Sequence, residues 1–180
     1  MTDFDPAAAL AAAAEGDQKA WNAIVTTYSS LVWSIARGFR LSTADAGDVV
    51  QGTWLRLVEH LHDIRDAERL PGWLATTARR EALNLIRRAG RDLPVDDVDG
   101  LGAAAVAPAV DERLLRDESQ RVLWQAVSRL SHGCQRLLRV MFADPAPSYE
   151  TVGAALDIPI GSIGPTRARC LAGLRSIMTD

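Results

Sequence analysis

Residues 71–91, PGWLATTARREALNLIRRAGR, can bury only one of their two sides. At the helical period Leu74, Ala78, Ala82, Leu85, Ile86 and Ala89 align as an apolar stripe that requires a core. Trp73, Thr77, Arg80, Asn84, Arg87, Arg88 and Arg91 fall opposite: a cationic surface with amide and hydroxyl groups and one aromatic ring. Pro71 suits a first helical turn, where its missing N–H is not needed, and Gly90 suits the end. A basic helix taken alone is more often a solvated face. Solvated faces, however, usually mix both charge signs, and here Glu81 is the only nearby acid and points elsewhere. The alternative is a surface that meets phosphates and bases.

The net charge of −3 over 180 residues argues by itself against a nucleic-acid binder, but its distribution argues otherwise. Residues 1–91 are neutral, residues 92–118 carry −6, and residues 119–180 carry +3. An acidic segment thus masks two neutral-to-basic modules. Of the 20 basic residues only Lys19 is a lysine, and the arginine fork suits phosphates and base edges.

Cys134 and Cys170 are far apart and form no CxxC, so they are expected to be two half-buried thiols that support no redox switch. With His60, His62 and His132 they make no ligand set, and no metal or cofactor is expected. No run of about 20 apolar residues is present, so no membrane insertion is expected. The Ala-rich start lacks a basic leader, which points to a cytoplasmic protein.

Helical periodicity recurs along the chain, with no strand-like alternation in the first half. A short Ala-rich helix is expected at 6–15, stopped by Gly16, then a helix capped by Asp17 with Trp21, Ile24, Val25, Tyr28, Leu31, Val32, Ile35 and Ala36 apolar. Ser42 caps a third, at 44–61, whose expected core stripe is Val50, Trp54, Leu57, Val58 and Leu61. Its other face holds Asp48, Gly52, Leu55 and Glu59, with Gln51 at the edge. A charged loop at 62–70 leads into the basic helix. Residues 92–110, rich in Pro, Gly, Ala and Asp, have no period and read as a flexible linker.

The expected fold class is therefore all-α: two small helical domains, 1–91 and 111–180, joined by the acidic linker 92–110. In the second domain helices are expected at 111–130 and 131–142. The run YETVGAAL–DIP–IGSIGPTRARCLAGLR then has the spacing of a helix-turn-helix, with Gly153, Ala154 and Ala155 at the crossing and the last helix starting near Ser162. That helix begins with Ser162, Thr166, Arg167 and Arg169, in the part of a recognition helix that reaches base edges. Pro165 falls in its first turn. Basic groups there run against the macrodipole and favour DNA over a structural hairpin.

In DAGDVVQGTWLRL, in LPGWLATTARREALNLIRR and in the C-terminal run, the chain resembles the extracytoplasmic function (ECF) group of the sigma-70 family. The resemblance implies a non-enzymatic promoter-specificity subunit of RNA polymerase. Asp45, Asp48, Gln51, Leu55 and Glu59 would bind core polymerase at the β′ clamp helices, with a further contact at the β flap. The loop at 62–69 and Trp73, Thr77, Arg80, Asn84, Arg87 and Arg88 would hold the −10 element, capturing a flipped base. Ser162, Thr166, Arg167 and Arg169 would read the −35 element as duplex. The linker would follow the single-stranded template path, and an anti-sigma factor is an expected partner.

The chain departs from that pattern in three places. Gly52 stands where an acid is usual, Asp157 where Gly is frequent in the turn, and Gly164-Pro165 where polar recognition residues are usual. Trp73 is open between packing on the neighbouring helix and stacking on a base. The competing readings are a stand-alone helix-turn-helix regulator binding an operator, a protein-only adaptor, and an enzyme. No heptad seam supports an operator-binding dimer, and no acid–base pair, nucleophile–His set or phosphate loop supports an enzyme.

Overall fold

The computed structural model describes residues 4–90 and 118–179. The expected linker at 92–110, Arg91 and residues 111–117 of the expected second domain lie outside the described residues. Among the described residues all regular structure is helical: α1 (Pro6–Ala14), α2 (Gln18–Arg37), α3 (Thr43–His60), α4 (Leu70–Arg88), α5 (Glu118–Ser128), α6 (His132–Met141), α7 (Tyr149–Leu156) and α8 (Ile160–Thr179). Two single 3-10 turns, Leu61–Asp63 and Ala67–Arg69, bridge α3 to α4.

The helices start where side-chain oxygens can take their first amides. Asp17 accepts from Lys19 and Ala20, Ser42 from Asp45, Ser131 from Cys134 and Ser148 from Thr151. They stop where glycine supplies a left-handed residue, as at Gly16 (φ 91°) after α1 and Gly90 (φ 62°) after α4. Asp157 takes the same role after α7, at φ 61° and ψ 44°. An Asp tolerates this conformation better than most residues, so the turn survives without the usual glycine.

In α4 the buried line is Leu70, Leu74, Ala75, Ala78, Ala82 and Ile86, while Leu85 is half-buried and Ala89 exposed. The α3 core differs from the expected stripe. It is made by Ala46, Val49, Val50, Thr53 and Leu57, whereas Val58 is 51 % exposed. Thr53 can be buried because its hydroxyl donates to the Val49 carbonyl at 2.7 Å, which leaves no polar group unmet. Gly52 is not on the outer face either. A Cβ there would lie 3.3 Å from the Glu81 carboxylate of α4.

The core is shared between the two halves of the chain. α7 lies along α4, and α6 reaches α2. Both helices are rich in small buried residues, Ala75, Ala78 and Ala82 on α4 and Gly153 and Ala155 on α7, as close helix packing requires. Three polar links span the same seam. Arg79 donates to the Asp157 carboxylate, the Asp144 amide donates to the Ser30 hydroxyl at 3.0 Å, and the Arg136 guanidinium sits 4.7 Å above the Phe39 ring. Gly38 makes room for this last contact, since a Cβ would lie 3.3 Å from the Arg136 side chain.

The last helix begins at Ile160, two residues before Ser162, so Pro165 lies in its second turn rather than its first. Proline there clashes with the carbonyl four residues back. That residue is Gly161, which stands in open space and can yield. The two cysteines differ from expectation as well. Cys170 is fully buried rather than half-buried, and it is joined to Cys134 in a disulfide between α6 and α8. A separation of 36 residues hid this contact, because only the reversal through α7 brings the two helices together.

Candidate nucleic-acid interface

Three surfaces carry the residues singled out from the sequence. The first is the outer face of α3. Asp48, Gln51, Leu55 and Glu59 are exposed and recur at three and four residues, so they share one side of the helix, while Asp45 is half-buried in its first turn. Leu55 is 59 % exposed, and Val58, three residues on, joins it in an apolar patch among charges. Beside this patch Arg56 donates to Glu59 at 3.0 Å and to Glu81 at 3.5 Å, tying α3 to α4. The hydrogen bond and charge of Glu59, then those of Glu81, push the Arg56 guanidinium further above its usual range.

Glu81 explains the glycine at position 52. A carboxylate there would face a second carboxylate on α4, whereas glycine faces none. Gly52→Ala is expected to raise stability by roughly 0.5–1 kcal/mol, because the flexible end of Glu81 can shift while the helix gains propensity. Gly52→Glu is expected to lower the unfolding midpoint instead. Thermal unfolding of the two variants side by side reads the opposite signs.

The second surface is the outer side of α4. Arg80, Arg87 and Arg88 are exposed, and Thr77 and Asn84 are half-buried beside them. Arg87 donates to the Asn84 side-chain oxygen at 3.2 Å, while Arg80 and Arg88 have no ion pair among the described residues. Glu81, the acid on this helix, is engaged by Arg56. Arg80, Arg87 and Arg88 thus form no ion pair among the described residues. Trp73 packs against the end of the neighbouring helix and also borders open space. Its ring meets the His60 ring at 6.1 Å between centroids, and its other side lines an open groove of about 800 Å³. Thr77, Arg80, Asp66 and Arg69 line the same groove from the first half, and Ser148, Glu150 and Thr151 of the second half form its other wall. The Glu150 carboxyl is held below the usual carboxylate range by its own backbone N–H and by the Ser148 hydroxyl, so that wall stays negative.

The third surface is the start of α8. Ser162 and Thr166 are half-buried, while Arg167 and Arg169 are exposed, with Arg169 donating to the Thr166 hydroxyl at 3.3 Å. α7, a three-residue turn and α8 follow one another, and α7 packs against α8. A Cβ on Gly153 would lie 3.1 Å from the Ile158 carbonyl oxygen, so glycine is required for the turn to pass.

Residues 24–92 match the family model for sigma-70 region 2. That match contains the whole of α3 and α4. The chain is also 26 % identical over 157 residues to the ECF RNA polymerase sigma-E factor of Escherichia coli (strain K12), covering 83 % of this chain and 81 % of that protein. The sigma-E factor of Salmonella typhimurium (strain LT2) matches over the same shares at the same identity. The chain is a sigma-70 family factor of the ECF group. Against the sigma-E factor of Haemophilus influenzae the identity is 23 % over 157 residues, with 83 % and 82 % of the two chains covered. The structure of CnrH in complex with the cytosolic domain of CnrY shares the fold, at a TM-score of 0.61 and 22 % identity, over 97 % of this chain and 98 % of that one.

In this sigma factor the residues missed by pattern reading are those at helix–helix seams. Val58 falls at a core interval in the sequence, and its exposure depends on which side α4 occupies. Arg79 and Asp157, 78 residues apart, gave no local signal of their pairing. No helix among the described residues is long and apolar enough to cross a membrane.

Proposed function

We propose that this sigma factor brings RNA polymerase to promoters by presenting its three surfaces to three ligands. The outer face of α3, with Asp45, Asp48, Gln51, Leu55 and Glu59, docks the β′ clamp helices of the core enzyme, and the second half of the chain adds a contact at the β flap. Arg80, Arg87, Arg88, Asn84 and Thr77 take the −10 element, with Trp73 at the groove edge available to a base leaving the stack. Ser162, Thr166, Arg167 and Arg169 read the −35 element as duplex. An anti-sigma factor is the regulatory partner of this reading. One observation carries the proposal: an exposed apolar pair, Leu55 and Val58, adjoins a helix whose exposed cations Arg80, Arg87 and Arg88 form no ion pair among the described residues.

Reading two separated DNA elements at once requires α7 to leave α4, since one wall of the groove over Thr77 and Arg80 is α7. Arg79–Asp157 and Ser30–Asp144 are the polar contacts that this separation breaks. Weak binding to promoter DNA without core polymerase follows, because neither half has a large positive charge.

The docking face is tested by Leu55→Asp. A single truncated or charged interface anchor commonly costs 2 kcal/mol or more, about 30-fold in affinity. Co-purification with core polymerase is expected to fall by that order while helicity and unfolding midpoint stay unchanged, since Leu55 touches solvent. Unchanged core binding by Leu55→Asp removes α3 as the docking face. Failure of the unaltered chain to bind core, with tight binding to duplex alone, favours an operator-binding regulator.

A further inference from the structure

α6 and α8 carry the only two cysteines of the chain. They form one covalent pair, with Cα atoms 5.3 Å apart. The two sulfurs have unlike surroundings. Cys170 is buried on the inner side of α8, with 1 % of its surface exposed. Cys134 is half-buried in the first turn of α6, where its amide donates to the capping Ser131 hydroxyl at 3.4 Å. It also lines a cavity of about 60 Å³ between the two helices, whose walls include Arg136, Leu156, Ile158, Ser162 and Thr166. Cys134 therefore borders solvent and the cavity, while Cys170 borders neither. Cys134 lies in the first turn of its helix, three residues after the Ser131 cap.

We propose that Cys134 and Cys170 are a reversible oxidation site whose state sets how firmly α8 is seated. The inference rests on the reading of α8 as the duplex-reading helix only for its consequence, not for its chemistry. Ser162, Thr166 and Cys170 recur every four residues, so they share one line along α8. Tying Cys170 to α6 thus fixes the rotation and depth of the edge that carries Ser162 and Thr166. A chain that works on RNA polymerase works among reducing thiols, where a disulfide is formed and broken rather than permanent.

The chemistry needs one oxidant class, a hydroperoxide. The Cys134 thiolate attacks the peroxide oxygen, the O–O bond breaks, and Cys134 becomes a sulfenic acid as hydroxide or alkoxide leaves and takes a proton. The Cys170 sulfur then attacks the Cys134 sulfur, the S–O bond breaks, and the hydroxyl leaves as water with the Cys170 proton. Two thiols give up two electrons and the peroxide accepts them. In reverse, a small thiol enters the cavity, forms a mixed disulfide at Cys134 and releases Cys170 as a thiol. A second small thiol then frees Cys134.

The test equilibrates the full chain in glutathione buffers that run from fully reduced to largely oxidised. Thiols are trapped with iodoacetamide and counted by mass spectrometry, and amide exchange of α8 and the unfolding midpoint are followed in parallel. One two-thiol transition is expected within that range. Oxidation should slow exchange along α8 about tenfold or more and raise the midpoint by roughly 10 °C, because it closes a loop with a separation of 36 residues. Cys134→Ser should remove the response to buffer. The oxidised and reduced forms of the unaltered chain are themselves the comparison if that variant folds poorly. A pair that stays bonded, or stays reduced, in every buffer overturns the proposal, as does oxidation that leaves α8 exchange and the midpoint unchanged. With core polymerase bound, the oxidised chain is expected to hold −35 duplex several-fold more tightly, since its reading edge is preorganised. Shifted α8 exchange with unshifted duplex affinity supports the oxidation site and removes α8 as the reading helix.

Discussion

The double substitution Arg80→Glu, Arg87→Glu is expected to abolish promoter-dependent transcription by reconstituted RNA polymerase, by 100-fold or more. Each arginine removed from a phosphate or base contact costs about 1–3 kcal/mol, and each glutamate installed adds repulsion from the same phosphates. Two such sites together exceed about 3 kcal/mol, a factor above 100. Both side chains are exposed, and neither forms an ion pair among the described residues, so the buried core should be kept. Run-off transcription on a randomised promoter library, with core binding measured alongside, separates the outcomes. Lost transcription with intact core binding assigns the face to DNA. Unchanged transcription with both charges reversed removes α4 as a nucleic-acid surface and leaves a protein-only adaptor.

Leu74→Ala is expected to cost about 2–5 kcal/mol of folding stability. Leu74 is fully buried on α4, the helix that meets α2, α3 and α7, so several elements would have to shift to close the cavity. A domain of this kind is held by only about 5–15 kcal/mol in total, so the loss is a large share. Urea unfolding followed by circular dichroism reads it as a lower midpoint with an unchanged slope. A loss below about 1 kcal/mol would mean that α4 is not the centre of the core. The contrast with the arginine pair is itself informative. On the proposed reading one side of a single helix carries stability and the other binding, so each should be lost without the other.

Local signals placed most of the helices to within a residue or two. The caps at Asp17, Ser42, Ser131 and Ser148 act on backbone amides two or three residues away, so they are legible in a short window. The turn after α7 was legible for the same reason, since Asp157 had to accept a left-handed conformation wherever the rest of the chain went. The basic side of α4 was legible because it depends on spacing alone. Val58, Gly52 and Pro165 were not. Their surroundings depend on the position of α4 over α3, on Glu81, and on two extra residues at the start of α8.

For residues 71–91 the sequence by itself determined a helix with an apolar side and a cationic side. Period and charge are properties of neighbours three and four residues apart, and no tertiary contact can change them. Only the tertiary structure decided what covers that helix. α7 lies against it, Glu81 is taken by Arg56, and Trp73 divides its ring between His60 and an open groove. It alone also joined Cys134 to Cys170 across two helices. Such contacts close loops of tens of residues, and the free energy that selects among them is summed over the whole core rather than written at either end.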